Sequence, residues 1–286
     1  MKRTLVAFLL LPLCSLCLCG ESSASLDPGA KTPYRLTVVL HFADQRLLTD
    51  VFRYRVEREL RDGLQASFGD LANVDVTREH PKLAEVLQNG LRTLDGWRER
   101  SPDKTHFVLI DYAGGQYEIQ ARQYDGLTGT PGPVVRRDHT RDREFVPKAA
   151  ALLVEKDFGL AGVFDSWPAD ATPGEDRPVT LALQGASLGV ALGRWIKKGD
   201  VFSVVQMPPG DAAPGRPVPY ALLEVDVPPT ERDASCVCRV FRRYDRPNGA
   251  GAAGYRCLQL GTVTGPLRLR LLQALPDGGT GPLKDA

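Results

Sequence analysis

Phe107-Val108-Leu109-Ile110 decides the fold. Four consecutive apolar residues mark a short strand buried on both faces, and such a strand needs cover on each side. Reading back towards the N-terminus, Leu83, Val86, Leu87, Leu91, Leu94 and Trp97 recur at helical spacing after Pro81, which suits a first helical turn. Ser101-Pro102-Asp103 breaks that helix, and 72–77 reads as a strand. Leu47, Leu48, Val51, Phe52, Val56, Leu60, Leu64 and Phe68 form a second amphipathic set, ended by Gly69-Asp70. Tyr34, Leu36, Val38, Leu40 and Phe42 alternate as a strand with one well-buried face. Reading forward, Gly114-Gly115 signals a hairpin into a strand at 117–122. A strand near Val134-Val135 and a helix from Pro147 to Phe158, stopped by Gly159, follow. Residues 33–160 therefore read β-α-β-α-β-β-β-α, an α/β or α+β domain on a mixed sheet.

The pattern then changes. Residues 161–178 carry Asp165, Pro168, Asp170, Pro173, Gly174 and Pro178, which reads as a linker. Beyond it lie short apolar runs at 179–183, 200–205, 221–227, 236–241, 255–260 and 267–272, separated by Gly/Pro turns. Residues 179–273 read as an all-β, SH3-like small barrel, and 274–286 as a turn-rich tail.

Residues 1–24 predict a cleaved secretory signal: Lys2-Arg3, an apolar run from Leu5, and Ser22-Ser23-Ala24 as a small-x-small site. Leu16 and Leu18 stand where a lipidated Cys17 or Cys19 needs a small residue, which favours a plain cleaved signal over a lipid anchor. The expected location is the periplasm or the extracellular space, with no transmembrane segment after cleavage. Removing Lys2, Arg3 and Glu21 from 36 basic and 35 acidic residues leaves 34 of each. A balanced chain has no long-range field to draw in nucleic acid, and none is expected as a partner. The basic groups Arg136-Arg137 and Arg239, Arg242-Arg243 are interleaved with acids and read as solvated surface.

Three cysteines, Cys236, Cys238 and Cys257, follow the signal. In an oxidising compartment an odd count implies one bridge and one free thiol, or an intermolecular bond. Cys236 and Cys238 share a strand face, and a hairpin partner carrying Cys257 could reach one of them. The expectation is a bridge from Cys257 to Cys238 or Cys236. Cys-x-Cys with one distant Cys lacks the spacing and fourth ligand of a metal site.

Several catalytic-looking motifs fail on context. Gly185-Ala186-Ser187-Leu188-Gly189 matches a nucleophile elbow, but Gly193 and Gly199 interrupt the helix an elbow needs. His41, His80, His106 and His139 all precede Ser187, against the hydrolase order. Gly249-Ala250-Gly251-Ala252-Ala253-Gly254 fits G-x-G-x-x-G, yet a strand rather than a helix follows it. Ser101-Pro102-Asp103-Lys104 lacks the partner motifs of the penicillin-binding group. Asp138-His139-x-x-Asp142 sits among alternating charges and reads as a solvated loop. Asp111 ends the buried strand, where α/β proteins often place functional groups; capping a turn is its plainer role. No cofactor motif stands out.

The stretch 190–205, with Lys197-Lys198-Gly199-Asp200-Val201-Phe202 at its centre, resembles the opening of the small barrel in bacterial flagellar assembly protein T. The first domain resembles the α/β domains of envelope proteins related to that protein and to curli-export lipoproteins. The last residues resemble the start of a carboxypeptidase-regulatory-like β-sandwich. These resemblances carry no catalytic residue across. The flagellar protein's role is not carried across; two foldable modules, an export signal and no convergent set of nucleophile, base and orienter point to an exported, non-enzymatic binding or scaffolding protein of the cell envelope, made of two independently packed bodies, with an envelope protein or glycan as partner. The alternatives are an exported hydrolase using Ser187 or Asp111, and the front part of a larger multidomain envelope protein.

Overall fold

A computed structural model describes residues 29–164, 178–209, 214–231, 233–242, 253–260, 272–274 and 280–282. The expected signal at 1–24 lies outside the described residues. The first unit is a mixed sheet flanked by helices, as the alternating pattern requires. Its central strands are β1 (Tyr34–Phe42) and β3 (Asp103–Ala113), paired in parallel. Strand β2 (Ala72–Thr77) lies parallel on the outer side of β1. Strand β4 (Gln116–Asp125) returns antiparallel to β3 through the Gly114-Gly115 turn, where both glycines take positive φ. The two-residue β5 (Thr130–Pro131) and β6 (Arg136–Thr140) both pair with β4.

Helix α1 (Asp50–Phe68) buries Phe52, Val56, Leu60, Leu64 and Phe68 on one stripe. Thr49 caps it by accepting from the Phe52 N–H, and Gly69 closes it at φ 53°. With α3 (Val146–Asp157) it covers the face of Leu36, Val38, Val108, Ile110 and Ile119. The other face buries Val39, Phe107 and Tyr124 under Leu91, Leu94 and Trp97. There the expected long helix divides. The short α2 (Leu83–Asn89) stops at Gly90, whose φ of 75° breaks the ladder, and a 3₁₀ turn at Leu91–Gly96 continues.

Two further readings shift. The strand expected at Val134-Val135 forms instead at Arg136–Thr140, so Asp138 and His139 lie on a paired strand, not a loop. Its alternating charges suit a sheet edge, where they discourage pairing with other chains. The first residues of the presumed linker are apolar and buried, and they form β7 (Ala161–Phe164). The remaining proline-rich stretch, 165–177, lies outside the described residues.

The second unit is a closed six-strand antiparallel barrel. Around the ring run β10 (Arg216–Val227), β11 (Cys236–Arg242), β8 (Pro178–Leu183), β7, β12 (Gly254–Leu260) and β9 (Val201–Met207), which closes on β10. The strand expected at 267–272 falls almost wholly outside the described residues. Leu272–Ala274 (β13) pairs with Thr280–Pro282 (β14) as a separate two-stranded sheet within the expected tail.

The two units are not independently packed. One contiguous core runs from Val56 and Leu60 through Phe68, Phe158 and Leu160 to Leu181, Leu183, Phe202 and Leu223 inside the barrel. Phe68 stacks on Trp195 with centroids 4.8 Å apart, and Phe158 meets Tyr34 edge-on at 5.2 Å.

Candidate functional site

The strongest concentration of perturbed ionisable groups lies where the sheet meets the barrel. On the α1/α3 face, β3 and β4 pair in successive rows: Ile110 with Ile119, Val108 with Ala121, His106 with Gln123, Lys104 with Asp125. The apolar rows lie under the helices; the polar rows run on towards the barrel. Lys104 is 1% exposed and Asp125 fully buried, with Nζ 2.6 Å from Oδ1. The Thr128 hydroxyl (2.6 Å) and backbone N–H (3.0 Å) donate to the other Asp125 oxygen. The Tyr34 and Phe158 rings lie 5.3 and 5.5 Å from the ammonium, a cation–π pair. Burial pulls the Lys104 pKa down while Asp125 opposes it, and Arg256 on β12 adds to the downward push. Burial pushes Asp125 up, but the Lys104 charge and the Thr128 bonds outweigh it and hold the carboxyl below its usual range.

Beside this pair stands a second. Asp157, in the last turn of α3, accepts from the Gln123 backbone N–H and, at 3.3 Å, from Arg136 Nε. Burial raises its carboxyl from 3.8 to about 6 against the pull of Arg136. His106 Nδ1 is 3.7 Å from Asp157 Oδ2, and neither ring nitrogen makes a well-formed hydrogen bond. Burial, reinforced by the Lys104 charge, lowers its imidazole from 6.5 to about 3, so the ring is neutral. A neutral imidazole beside a carboxyl of that strength has the make-up of an acid–base pair. Lys104, His106, Asp125 and Asp157 are all buried, however, which leaves no approach for a substrate in this conformation. Their visible work is to join elements.

Other polar groups complete the joint. The Tyr34 hydroxyl accepts from the Ala161 N–H at 2.9 Å, and burial raises its pKa well above normal. Gln259 of β12 is bonded to Leu160 by its backbone N–H and its side-chain oxygen, while its amide nitrogen reaches Trp195 O and Asp200 Oδ2. Gly159 is not a left-handed helix cap. A Cβ there would lie 2.2 Å from Gln259 O, so glycine is needed for the backbones to approach.

An open cleft of about 440 Å³ lies beside the sealed cluster, between β5 and strands β9 and β10. Pro131, Val205, Tyr220 and Leu222 give it apolar walls, with Asp95 and Arg98 at the polar side. Asp95 accepts at 2.6 Å from Arg122, whose guanidinium is otherwise buried on Gly132 O and Leu91 O. Tyr220 is 64% exposed and holds φ 57°, and it sits where the β9–β10 register shifts between Pro217 and Leu222. A left-handed tyrosine is strained, and such strain concentrates at functional positions.

The catalytic candidates are not brought together. Ser187 is exposed in a turn whose N–H donates to Ala30 O; a 3₁₀ turn at Leu192–Arg194 follows, not an elbow helix. Asp111 lies within β3 opposite Glu118 and accepts from its neighbour's N–H. Neither is hydrogen-bonded to a histidine among the described residues. Of the G-x-G-x-x-G stretch, 249–252 lie outside the described residues, and Gly254 opens β12, a strand. Cys236, Cys238 and Cys257 are unbridged and buried. Strand β11 pairs with β10 and β8, and β12 with β7 and β9, so the hairpin expected to join Cys257 to the other two does not exist. The residues missed in the sequence are Lys104, His106, Asp125 and Asp157. The available signal was Lys104 and His106 continuing the Val108/Ile110 face at a spacing of two.

No family model matches the sequence, and no curated protein matches it. Among solved structures, a PelC dodecamer from Paraburkholderia phytofirmans is similar in part, at 13% identity over 46% of this chain and 90% of that one, with a TM-score of 0.24. Likeness this remote assigns neither fold nor activity.

Proposed function

We propose that this is an exported, non-enzymatic binding or scaffolding protein of the cell envelope that receives its partner, an envelope protein or a glycan, in the cleft between sheet and barrel. Tyr220 carries the reading: a strained, exposed aromatic ring on the wall of an open apolar cleft, while the perturbed ionisable groups nearby are sealed into the joint. The finer assignment of the barrel as SH3-like, of the flagellar assembly protein T kind, belongs to the same proposal. Six short antiparallel strands and the Lys197–Asp200 turn leading into β9 support it. A near-zero net charge weighs against nucleic acid as the partner.

The test compares the protein with Tyr220→Gly in pull-downs from envelope extract. Glycine relieves the left-handed strain, so the variant should be as stable as the parent or better, by up to about 1 kcal/mol. Its recovery of the parent's partner should fall about tenfold, a loss of roughly 1.4 kcal/mol. Equal recovery by both would remove the cleft from the proposal. Esterase, glycosidase and peptidase screens with Ser187→Ala run alongside; turnover abolished by that substitution would reinstate the hydrolase.

A further inference from the structure

Three thiols lie inside the barrel, and one pair of them is in contact. Cys236 and Cys238 sit on β11 at alternate positions, so both project inwards, and each is fully buried. Their sulfurs are 3.7 Å apart. The strand is irregular beside them: Val225 faces Cys238 and Val227 faces Val237, a bulge in the β10–β11 ladder, and bulges sharpen local twist. Cys257 enters the same interior from β12, near enough to act electrostatically on both, while the sulfur–sulfur contact is the one between Cys236 and Cys238. Among the described residues no group of three His, Cys, Asp or Glu is placed to hold a metal ion.

We propose that Cys236 and Cys238 are an oxidation site, forming a disulfide across the single residue Val237 and leaving Cys257 as the sealed odd thiol. The inference goes beyond the cleft and does not depend on what the cleft binds. In the closed barrel both thiols are shielded by burial, the contact with Cys236 and burial raise the Cys238 pKa, and the thiolate is the reactive form. Oxidation therefore precedes barrel closure, while β11 is still exposed. The oxidant is a disulfide, small-molecule or protein. One cysteine thiolate attacks it, forming a mixed disulfide and expelling one carrier thiolate. The second cysteine thiolate attacks the mixed disulfide and expels the other. One S–S bond forms and one breaks, two electrons pass to the carrier, and the two thiol protons end on the carrier thiols.

The test refolds the reduced full chain in glutathione and glutathione disulfide, quenches in acid, alkylates under denaturing conditions and maps tryptic peptides. Cleavage at Arg232 and Arg239 places Cys236 and Cys238 in one peptide, 233–239, while Cys257 falls in 257–268. The expected map shows 233–239 unalkylated and lighter by two hydrogens, and 257–268 alkylated once. Full alkylation of 233–239, or its linkage to 257–268 or to any other peptide, would overturn the assignment. Cys257→Ala should keep the internal bridge and Cys236→Ala should lose it without recruiting Cys257. If either variant fails to fold, the map of the parent chain decides alone.

Discussion

Lys104 and Asp125 show how context sets the worth of a charge. Two ions taken out of water lose hydration that their attraction only partly restores, so each depends on the other. Lys104→Met should cost about 3–5 kcal/mol because it strands Asp125. The double variant Lys104→Met/Asp125→Leu should cost far less, and urea midpoints of the three proteins measure the difference. His106 and Asp157 make a second prediction. Between pH 3.8 and about 6 folded Asp157 holds more protons than unfolded, so its contribution falls as pH rises. Between about 3 and 6.5 unfolded His106 holds more, so its contribution rises with pH. Over the shared window the two slopes oppose each other. Replacing His106 with Gln removes the rising one. The parent should gain on that variant from about pH 4 to about pH 6, by roughly 2 to 3 kcal/mol, read from urea unfolding at each pH.

At the scale of elements, Gly159 and Gly63 make a matched pair. Gly159→Ala drives a methyl into the β12 backbone and should lower stability by about 1–3 kcal/mol. Gly63→Ala, inside α1 with nothing within 4 Å, should raise it by about 1 kcal/mol. Thermal unfolding ranks all three proteins. The same comparison shows what the sequence could and could not say. The strands and α1 were legible because the period of apolar residues is a local signal. Gly159 was read as a helix stop because its real partner, Gln259, is far along the chain. The Leu83–Trp97 repeat looked like one helix because spacing does not register the backbone turn at Gly90. Lys104 opposite Asp125 was within reach: ten positions back from Gly114 and ten on from Gly115 meet in the ladder. The polar start of β3 hid it, since a buried lysine contradicts the usual rule for strands. Tyr220 gave no signal, because φ is a property of the folded chain.

For the molecule as a whole, the shared core makes unfolding a single event. Far-ultraviolet and near-ultraviolet dichroism should follow the same urea curve with one midpoint, since neither unit can open without exposing the Phe158–Trp195 contact. Two separated transitions would mean that the joint is weaker than its burial implies. The ring order adds a temporal consequence. Strand β7 leaves the sheet directly after α3, yet one of its neighbours is β12, with Ala161 opposite Leu258. A chain emerging from its N-terminus can assemble the sheet early, but the floor beneath Lys104 stays open until the stretch around Leu258 arrives. Until then the nascent protein carries a wet, charged wound on its flank, and a chaperone would have about a hundred residues' worth of synthesis time to find it.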